Sequence, residues 1–218
     1  MATVTDSPSI PQSITSPEST GPAGNGLEQT PGMPYRFTSE EYLKMVAAGV
    51  LHEDSKVELL DGVIYPMSPS SEEHSFGILS ISNLFRDLPK SYLTCSQLPL
   101  QIGTESIPEP DFMVLKGSTK SFRNRYIAPN DVVLLVEVSK SSAKFDRSAK
   151  LELYAKAGIP EYWIVDIDRK MVEVFTNPQP NSTPPSFQER KEYKPNETVA
   201  FTPVEGTTVE INVSEIFG

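Results

Sequence analysis

Cysteine is almost absent from this sequence, since Cys95 is the only one among 218 residues. A single cysteine excludes an intrachain disulfide, a zinc ribbon and any cluster held by several thiolates. No basic or imidazole side chain stands close to Cys95 in sequence, so we interpret it as a small buried hydrophobe rather than a nucleophile. A metal ion bound by this protein would therefore need oxygen ligands.

Long hydrophobic runs are also missing. Nowhere do about 18 apolar residues follow one another, as a membrane-spanning helix requires, and the first residues show neither the basic nor the apolar segment of a secretion signal. We therefore expect a soluble, cytoplasmic protein that makes no contact with a membrane.

Positive charge is scarce, with 19 lysines and arginines against 29 acidic residues and a net charge of −10. Only three of the acids, and no lysine or arginine, lie in residues 1–34, so the rest of the chain still carries a net charge of −7. This argues against the broad basic surface that gives proteins non-specific affinity for DNA. Any contact with nucleic acid must be local.

The chain divides by composition near residue 33. Residues 1–33 are dominated by Ser, Thr, Pro and Gly and show no apolar periodicity, so they bury too little surface to offset the entropy of ordering. We predict a disordered arm over residues 1–33. Residues 34–218 suffice for one domain and are too few for two ordinary ones, so we predict a single domain there.

Local patterns predict the elements of this domain. Thr38 and Glu41 have the spacing of a capping box, and Asp61-Gly62 is a favoured hairpin turn. Helices are predicted from Thr38 to Gly49, after Ser70, and at 145–157. Strands are predicted at 57–67, 98–102, 111–115, 131–139, 162–167, 171–176, 188–193 and 199–213. The order strand, helix, strand at 131–167 predicts a parallel crossover, so we expect an α/β fold: a mixed β-sheet flanked by helices, with additional β-hairpins.

Glu137 lies in the most apolar run, 131–139, which we predict to be a central strand buried on both faces. A carboxylate in such surroundings is costly unless a cation or strong donors meet it. Period-two geometry places Glu137 on one face with three other residues of the run: Val133, Leu135 and Ser139. Two interpretations stay open, a ligand site or a structural ion pair with Lys150.

Asp111 is a second candidate, because it follows Pro110 directly and opens an apolar strand. Taken alone, a Pro-Asp dipeptide is more typical of a turn than of a ligand. Paired with Glu137, however, it would give two carboxylates at strand ends of one sheet, which can hold a hard divalent cation such as Mg²⁺.

The predicted helix at 145–157 carries a polar stripe, because Asp146, Lys150 and Tyr154 are spaced four residues apart. An Asp146 to Lys150 surface pair would be the ordinary explanation for an arbitrary helix. This helix begins just beyond the Glu137 strand, however, so its first turns can return Lys150 toward the carboxylates. There an ammonium can orient a water or stabilise charge on a phosphate.

Two further residues stay undecided from the pattern alone. Glu58 opens the first predicted hairpin, where an exposed strand carboxylate is at least as common as a site residue. His74 lies near the start of the second helix, and we interpret it as a solvent-facing histidine with no catalytic role.

Taken in order, these residues resemble a large bacterial family of restriction-endonuclease-like proteins within the PD-(D/E)XK nuclease superfamily. The resemblance covers about residues 35–215 and leaves out the N-terminal arm. The segments that carry it are Val57–Gly62, Met67–Pro69 with His74, Pro110-Asp111, Glu137–Ser139, Asp146, Lys150, Tyr154 and Gly158–Trp163.

In that superfamily the aspartate after proline and the acid of the (D/E)XK element bind the metal, and the lysine serves the attacking water. The resemblance implies the metal-binding roles for Asp111 and Glu137. Ser139 stands where the lysine belongs, and the resemblance implies that Lys150 on the next helix takes its place. Glu58 is carried over as an additional acidic residue of the site.

We therefore hypothesise that a restriction-endonuclease-like domain hydrolyses phosphodiester bonds in DNA. Mg²⁺ or Mn²⁺ would be held by Asp111, Glu137 and the Val138 carbonyl, and would activate a water that Lys150 orients. Nucleases of this type often work as symmetric homodimers, because cutting both strands requires two sites. The acidic charge favours a second hypothesis, a catalytically inactive nuclease fold that binds DNA or another protein.

Overall fold

The computed structural model describes residues 32–140, 142–204 and 207–218. The disordered arm predicted for residues 1–33 lies outside the described residues except for its last two positions. No helix among the described residues is long and apolar enough to cross a membrane.

The described residues form a mixed α/β fold. The strands are β1 (Val57–Leu60), β2 (Val63–Pro66), β3 (Tyr92–Cys95), β4 (Phe112–Lys116), β5 (Val132–Ser139), β6 (Glu161–Asp166), β7 (Met171–Gln179), β8 (Ser186–Tyr193), β9 (Thr198–Val204) and β10 (Thr207–Asn212). The helices are α1 (Ser39–Ala47), α2 (Glu72–Leu84), α3 (143–156) and α4 (Ser214–Phe217). Short 3₁₀ turns occupy Glu53–Ser55, Thr119–Phe122 and Pro129–Asp131.

One six-stranded sheet organises the domain, in the order β3-β4-β5-β6-β7-β8. Its strands are antiparallel except for β5 and β6, which run parallel and are connected through α3. β1 pairs with β2, and β9 with β10, as separate antiparallel hairpins. The predicted mixed sheet with flanking helices, parallel crossover and additional hairpins is confirmed.

The core lies on both faces of this sheet. On one face α2 packs through Ile81, together with Phe85, which directly follows the helix, and Phe201 of the β9–β10 hairpin. On the other face α3 packs through Leu153 and Tyr154. β5 contributes to both layers, which explains why its sequence is almost continuously apolar.

The predicted caps and turns form as the local chemistry requires. At the start of α1 the Thr38 amide donates to Glu41 Oε2 at 2.8 Å, and the Glu41 amide donates to Thr38 Oγ1 at 3.2 Å. Asp61 and Gly62 join β1 to β2 with φ of 45° and 78°, values that few residues other than Gly, Asn and Asp adopt. A side chain at Gly62 would also meet Arg36 Cβ at 2.7 Å.

The prediction of a strand at 98–102 is wrong. Pro99 has no amide hydrogen to donate to a strand ladder, and only isolated bridges form there, from Leu100 to Ile127 and from Ile102 to Ser106. The missed strand β3 pairs with β4 instead and contains Cys95. Burial raises the pKa of the Cys95 thiol to about 11, in line with its interpretation as a hydrophobe.

Two local irregularities also depart from the prediction. The register between β4 and β5 shifts so that Leu115 pairs with Val132 while Val114 pairs with Leu134, which leaves Val133 as a bulge. Val133 accordingly packs in the layer of Leu134 rather than on the face of Glu137. The predicted third helix contains a π-helical turn at Asp146–Lys150, between α-helical segments at Ala143–Phe145 and Leu151–Lys156.

Candidate active site

A cleft of about 820 Å³ opens at the end of β5, where β1, α2 and α3 meet the sheet. Its volume lies within the range of about 300–1,000 Å³ that is typical of ligand pockets. The structure brings every residue predicted for the site to this cleft, namely Glu58, Asp111, Glu137, Val138 and Lys150. These residues come from β1, the start of β4, β5 and α3, so the fold and not the local sequence assembles them.

Glu137 lies at the bottom of the cleft and is only 3% exposed. Its Oε1 accepts two hydrogen bonds from α3, from Lys150 Nζ at 3.0 Å and from the Tyr154 hydroxyl at 2.7 Å. The polar stripe predicted on this helix therefore faces the carboxylate. Tyr154 is a contact of the site to which the sequence pattern gave no role.

Lys150 connects two of the acids. Its ammonium lies 3.0 Å from Glu137 Oε1 and 3.2 Å from Glu58 Oε1, and the lysine is 6% exposed. Burial alone would lower the pKa of Lys150, but the carboxylates of Glu137, Glu58 and Asp146 outweigh burial and hold its pKa above the usual range. Lys150 therefore stays protonated and can only donate hydrogen bonds.

Ser139 does not take the place of this lysine. It is fully buried, and its hydroxyl lies 3.2 Å from the Ser142 hydroxyl at the start of α3. The ammonium beside Glu137 comes from the helix, as the resemblance implied.

Asp111 stands beside Glu137 because β4 and β5 are antiparallel neighbours, with Phe112 opposite Val136. Its Oδ2 accepts a hydrogen bond from the backbone amide of Val138 at 2.8 Å. The same oxygen lies 3.1 Å from His74 Nε2. The Asp111 carboxylate is thus fixed at the opening of the cleft, next to Glu137.

His74 was interpreted from the sequence as solvent-facing, and that is wrong. Its side chain is 17% exposed and contacts Asp111 from the first turn of α2. The helix cap explains this orientation. Ser71 Oγ accepts a hydrogen bond from the His74 amide, and this bond fixes the first turn of α2. The cap could be read from the sequence, but the neighbour that the turn faces could not.

Asp146 adds another buried carboxylate, 2% exposed, and its Oδ2 accepts a hydrogen bond from Ser142 at 2.8 Å. Burial raises the pKa of Asp146, and the nearby Lys150 offsets part of this effect. Burial also raises the pKa of Glu137, Lys150 again offsets part of the shift, and the surrounding carboxylates raise it further. Four carboxylates line this cleft close to Lys150 or to one another, and we call them the acid cluster: Glu58, Asp111, Glu137 and Asp146.

The π-helical turn lies within the segment that carries Asp146 and Lys150, both of which are buried. Such turns are rare in helices and occur often at functional sites. In this protein the turn carries both side chains into the lining of the cleft.

The donor set fits a hard divalent cation, since carboxylate oxygens outnumber the ammonium groups in the cleft. Within the described ranges, no group of three or more acid, histidine or cysteine side chains is placed to hold a metal ion. Mg²⁺ usually binds one or two carboxylates and keeps several waters, which a pair such as Asp111 and Glu137 can provide. A cation at this pair would also compensate the surplus negative charge.

Comparison with known proteins gives the family and the fold. Residues 39–209 match the family described as "Putative restriction endonuclease". A crystal structure of "a putative nuclease belonging to DUF820 from Anabaena variabilis ATCC 29413" has a TM-score of 0.59, covers 83% of this chain and 97% of its own, and is 19% identical in sequence, so it shares the fold. No curated protein matches the chain. Because the match spans most of its length, this chain belongs to the family described as "Putative restriction endonuclease".

Proposed function

We propose that the protein is a metal-dependent nuclease that hydrolyses phosphodiester bonds in DNA, with a PD-(D/E)XK site. The observation that carries this proposal is the position of Lys150, whose ammonium lies within 3.2 Å of both Glu137 and Glu58 in the cleft that Asp111 borders. The family description and the fold of the similar nuclease structure support it.

Asp111 and Glu137, with the Val138 carbonyl, would hold Mg²⁺ or Mn²⁺. When bound, such a cation polarises a phosphoryl oxygen and lowers the pKa of a coordinated water. A hydrogen bond from the Val138 amide already orients the Asp111 carboxylate. Hydrogen bonds from Lys150 and Tyr154 orient that of Glu137. Little reorganisation of these side chains is then needed when a substrate arrives.

Lys150 acts through its positive charge. The carboxylates of the acid cluster raise the pKa of Lys150, which favours its charged form. The ammonium can donate to the attacking water and so orient it, or donate to a phosphate oxygen on which charge develops. Glu58 holds Lys150 from the other side and keeps the ammonium inside the cleft.

The test is a cleavage assay on plasmid and single-stranded DNA in Mg²⁺ or Mn²⁺. We expect the wild type to cleave, and Asp111→Asn and Lys150→Ala to lose most of the activity. Lys156→Ala is the matched control, since Lys156 lies on the same helix with an exposed side chain. Equal cleavage by the wild type and all three variants would overturn the assignment.

A second candidate is a catalytically inactive member of the family that binds DNA or another protein. It is favoured by the net charge of −10 and by Lys150, which already neutralises part of the acid cluster without a metal. Calorimetric titration with Mg²⁺ and Mn²⁺ separates the two candidates. Binding that Glu137→Gln abolishes supports the nuclease, and the absence of binding by the wild type supports the inactive member.

We also propose that the nuclease acts as a homodimer, because two sites are needed to cut both strands of a duplex. Sedimentation at several protein concentrations measures the state. A monomer at every concentration, including with DNA present, would contradict this part of the proposal.

A further inference from the structure

His74 reaches the acid cluster because α2 approaches the sheet very closely. Gly77, three residues further along the same helix, faces Val138, and a Cβ built at Gly77 would lie 2.8 Å from Val138 Cγ1. A larger residue at this position would force the helix and the strand apart. Together with the Ser71 cap, this contact places His74 against Asp111 Oδ2, the oxygen that also accepts a hydrogen bond from the Val138 amide.

The ring of His74 has one partner that can be identified. Its Nε2 lies 3.1 Å from Asp111 Oδ2, and its Nδ1 is buried with no hydrogen-bond partner in the part of the chain that the structure describes. A buried N–H without an acceptor is costly, so a neutral ring is best placed with its proton on Nε2. In this tautomer His74 is a donor to Asp111.

Asp111 Oδ2 then receives two hydrogen bonds, from His74 Nε2 and from the Val138 amide. Two donors on one oxygen fix the rotation of the carboxylate. Oδ1 is left as the oxygen that can turn to a ligand in the cleft. Partners of this kind, which hold a metal-binding side chain from behind, commonly contribute about 10–100-fold to metal affinity.

We propose that His74 is a positioning residue that donates from Nε2 to Asp111 Oδ2 and thereby directs Oδ1 of Asp111 to the divalent cation. This inference rests on the proposed function, since it gives Asp111 the role of a metal ligand. His74 itself does not contact the metal or the substrate.

The first test is calorimetric titration of the full chain with Mn²⁺. We expect His74→Ala to weaken Mn²⁺ binding about 10–100-fold, and His74→Gln, whose amide nitrogen can occupy the position of Nε2, to recover most of it. His52→Ala is the matched control, because the His52 side chain is exposed at the rim of the cleft, beside Asp54 and not beside Asp111. Equal Mn²⁺ affinity of His74→Ala and His52→Ala would overturn the proposal.

Cleavage at increasing Mn²⁺ concentration separates positioning from general loss of structure. High Mn²⁺ should restore cleavage by His74→Ala, because the ligand is still present and only its orientation is lost. Asp111→Asn should not recover. Failure of His74→Ala to recover, with thermal unfolding unchanged from His52→Ala, would also contradict a positioning role.

A second measurement does not need the metal. In ¹⁵N NMR of the imidazole at a pH where the ring is neutral, we expect the proton of His74 on Nε2, and a shift of the Nε2 resonance in Asp111→Asn. A proton on Nδ1 would overturn the proposal. If the wild type binds no Mn²⁺, the proposed function fails, and this spectrum still decides whether His74 donates to Asp111.

Discussion

The sequence contains two Val-Glu-Val tripeptides, and their glutamates differ in the balance of charge around them. Glu137 of β5 and Glu173 of β7 both pair with Ile164 of β6, one from each side, so they lie in one row across the sheet. Both are buried, at 3% and 0% exposure. The same helix supplies a cation to each of them, Lys150 to Glu137 and Arg147 to Glu173.

The two sites differ in their balance of charge. Glu173 accepts hydrogen bonds from Arg147 Nε at 2.6 Å and from Arg190 Nε at 3.0 Å, and Arg147 also pairs with Asp166. Arg169 lies 3.8 Å from Glu173 as well, and Glu192 contacts both Arg169 and Arg190. In this part of the described chain, three carboxylates face three guanidinium groups. Among the described residues, Glu137 and the three other carboxylates of the acid cluster share the Lys150 ammonium, and the cleft opens beside them. In this comparison, Glu137 is the better candidate for binding a cation because its neighbours leave negative charge uncompensated.

The largest effect is expected when the Lys150 ammonium, which contacts Glu58 and Glu137, is removed. Lys150→Met should lower the rate of DNA cleavage about 10²–10³-fold, the loss typical when a group that stabilises transition-state charge is removed. The measurement is initial cleavage rate in Mg²⁺, with Lys156→Met as the control on the exposed side of α3. Wild-type activity in Lys150→Met would remove the proposed difference between the two glutamates.

A smaller effect, on stability rather than on activity, is expected at the balanced site. Glu173→Gln leaves Arg147 and Arg190 without their shared carboxylate and should lower the free energy of unfolding by about 2–3 kcal/mol. The expected loss lies below the roughly 3–5 kcal/mol typical of a fully buried pair because Arg147 and Arg190 remain partly exposed, at 26% and 48%. Urea unfolding measures it.

Glu192→Gln is the control for this change, since Glu192 contacts Arg190 at the surface and is 39% exposed. It should cost less than about 1 kcal/mol. Equal losses in Glu173→Gln and Glu192→Gln would show that burial of Glu173 does not matter to the network.

The sequence could predict much of the fold because its signals are local. The Thr38 cap, the Asp61-Gly62 turn and the apolar run of β5 each depend on neighbouring residues, and all three are confirmed. Where Pro99 interrupted an apolar run, or a bulge at Val133 shifted the register, the prediction was wrong, because strand pairing depends on the partner strand.

The site could be predicted only in part. The polar stripe of α3 was visible as a spacing of four, and Glu137 stood out because it lies in the most apolar run, just before that helix. Glu173 stands in the same tripeptide and is as deeply buried, yet its sequence gave no sign of its guanidinium partners. His74 was misinterpreted because its partner, Asp111, comes close only when Gly77 lets α2 approach Val138.

The smallest effect should appear at Asp146, where surplus negative charge costs stability. Burial raises the pKa of Asp146, so the folded protein holds this proton at a higher pH than the unfolded chain does. The contribution of Asp146 to stability therefore falls as pH rises above the ordinary value of 3.8. At neutral pH we expect Asp146→Asn to be as stable as the wild type or more stable, by up to about 1 kcal/mol.

Asp131→Asn should have the opposite effect on stability at neutral pH. Hydrogen bonds from Arg125 lower the pKa of Asp131, so its contribution is present at neutral pH and is lost as pH falls below 3.8. Urea unfolding at neutral pH should show that Asp131→Asn is less stable than the wild type and that Asp146→Asn is not destabilised. For each variant, the difference in free energy of unfolding from the wild type should shrink as the pH falls below 3.8. Destabilisation by Asp146→Asn at neutral pH would mean that Lys150 already compensates the acid cluster, and the contrast with the Glu173 network would disappear.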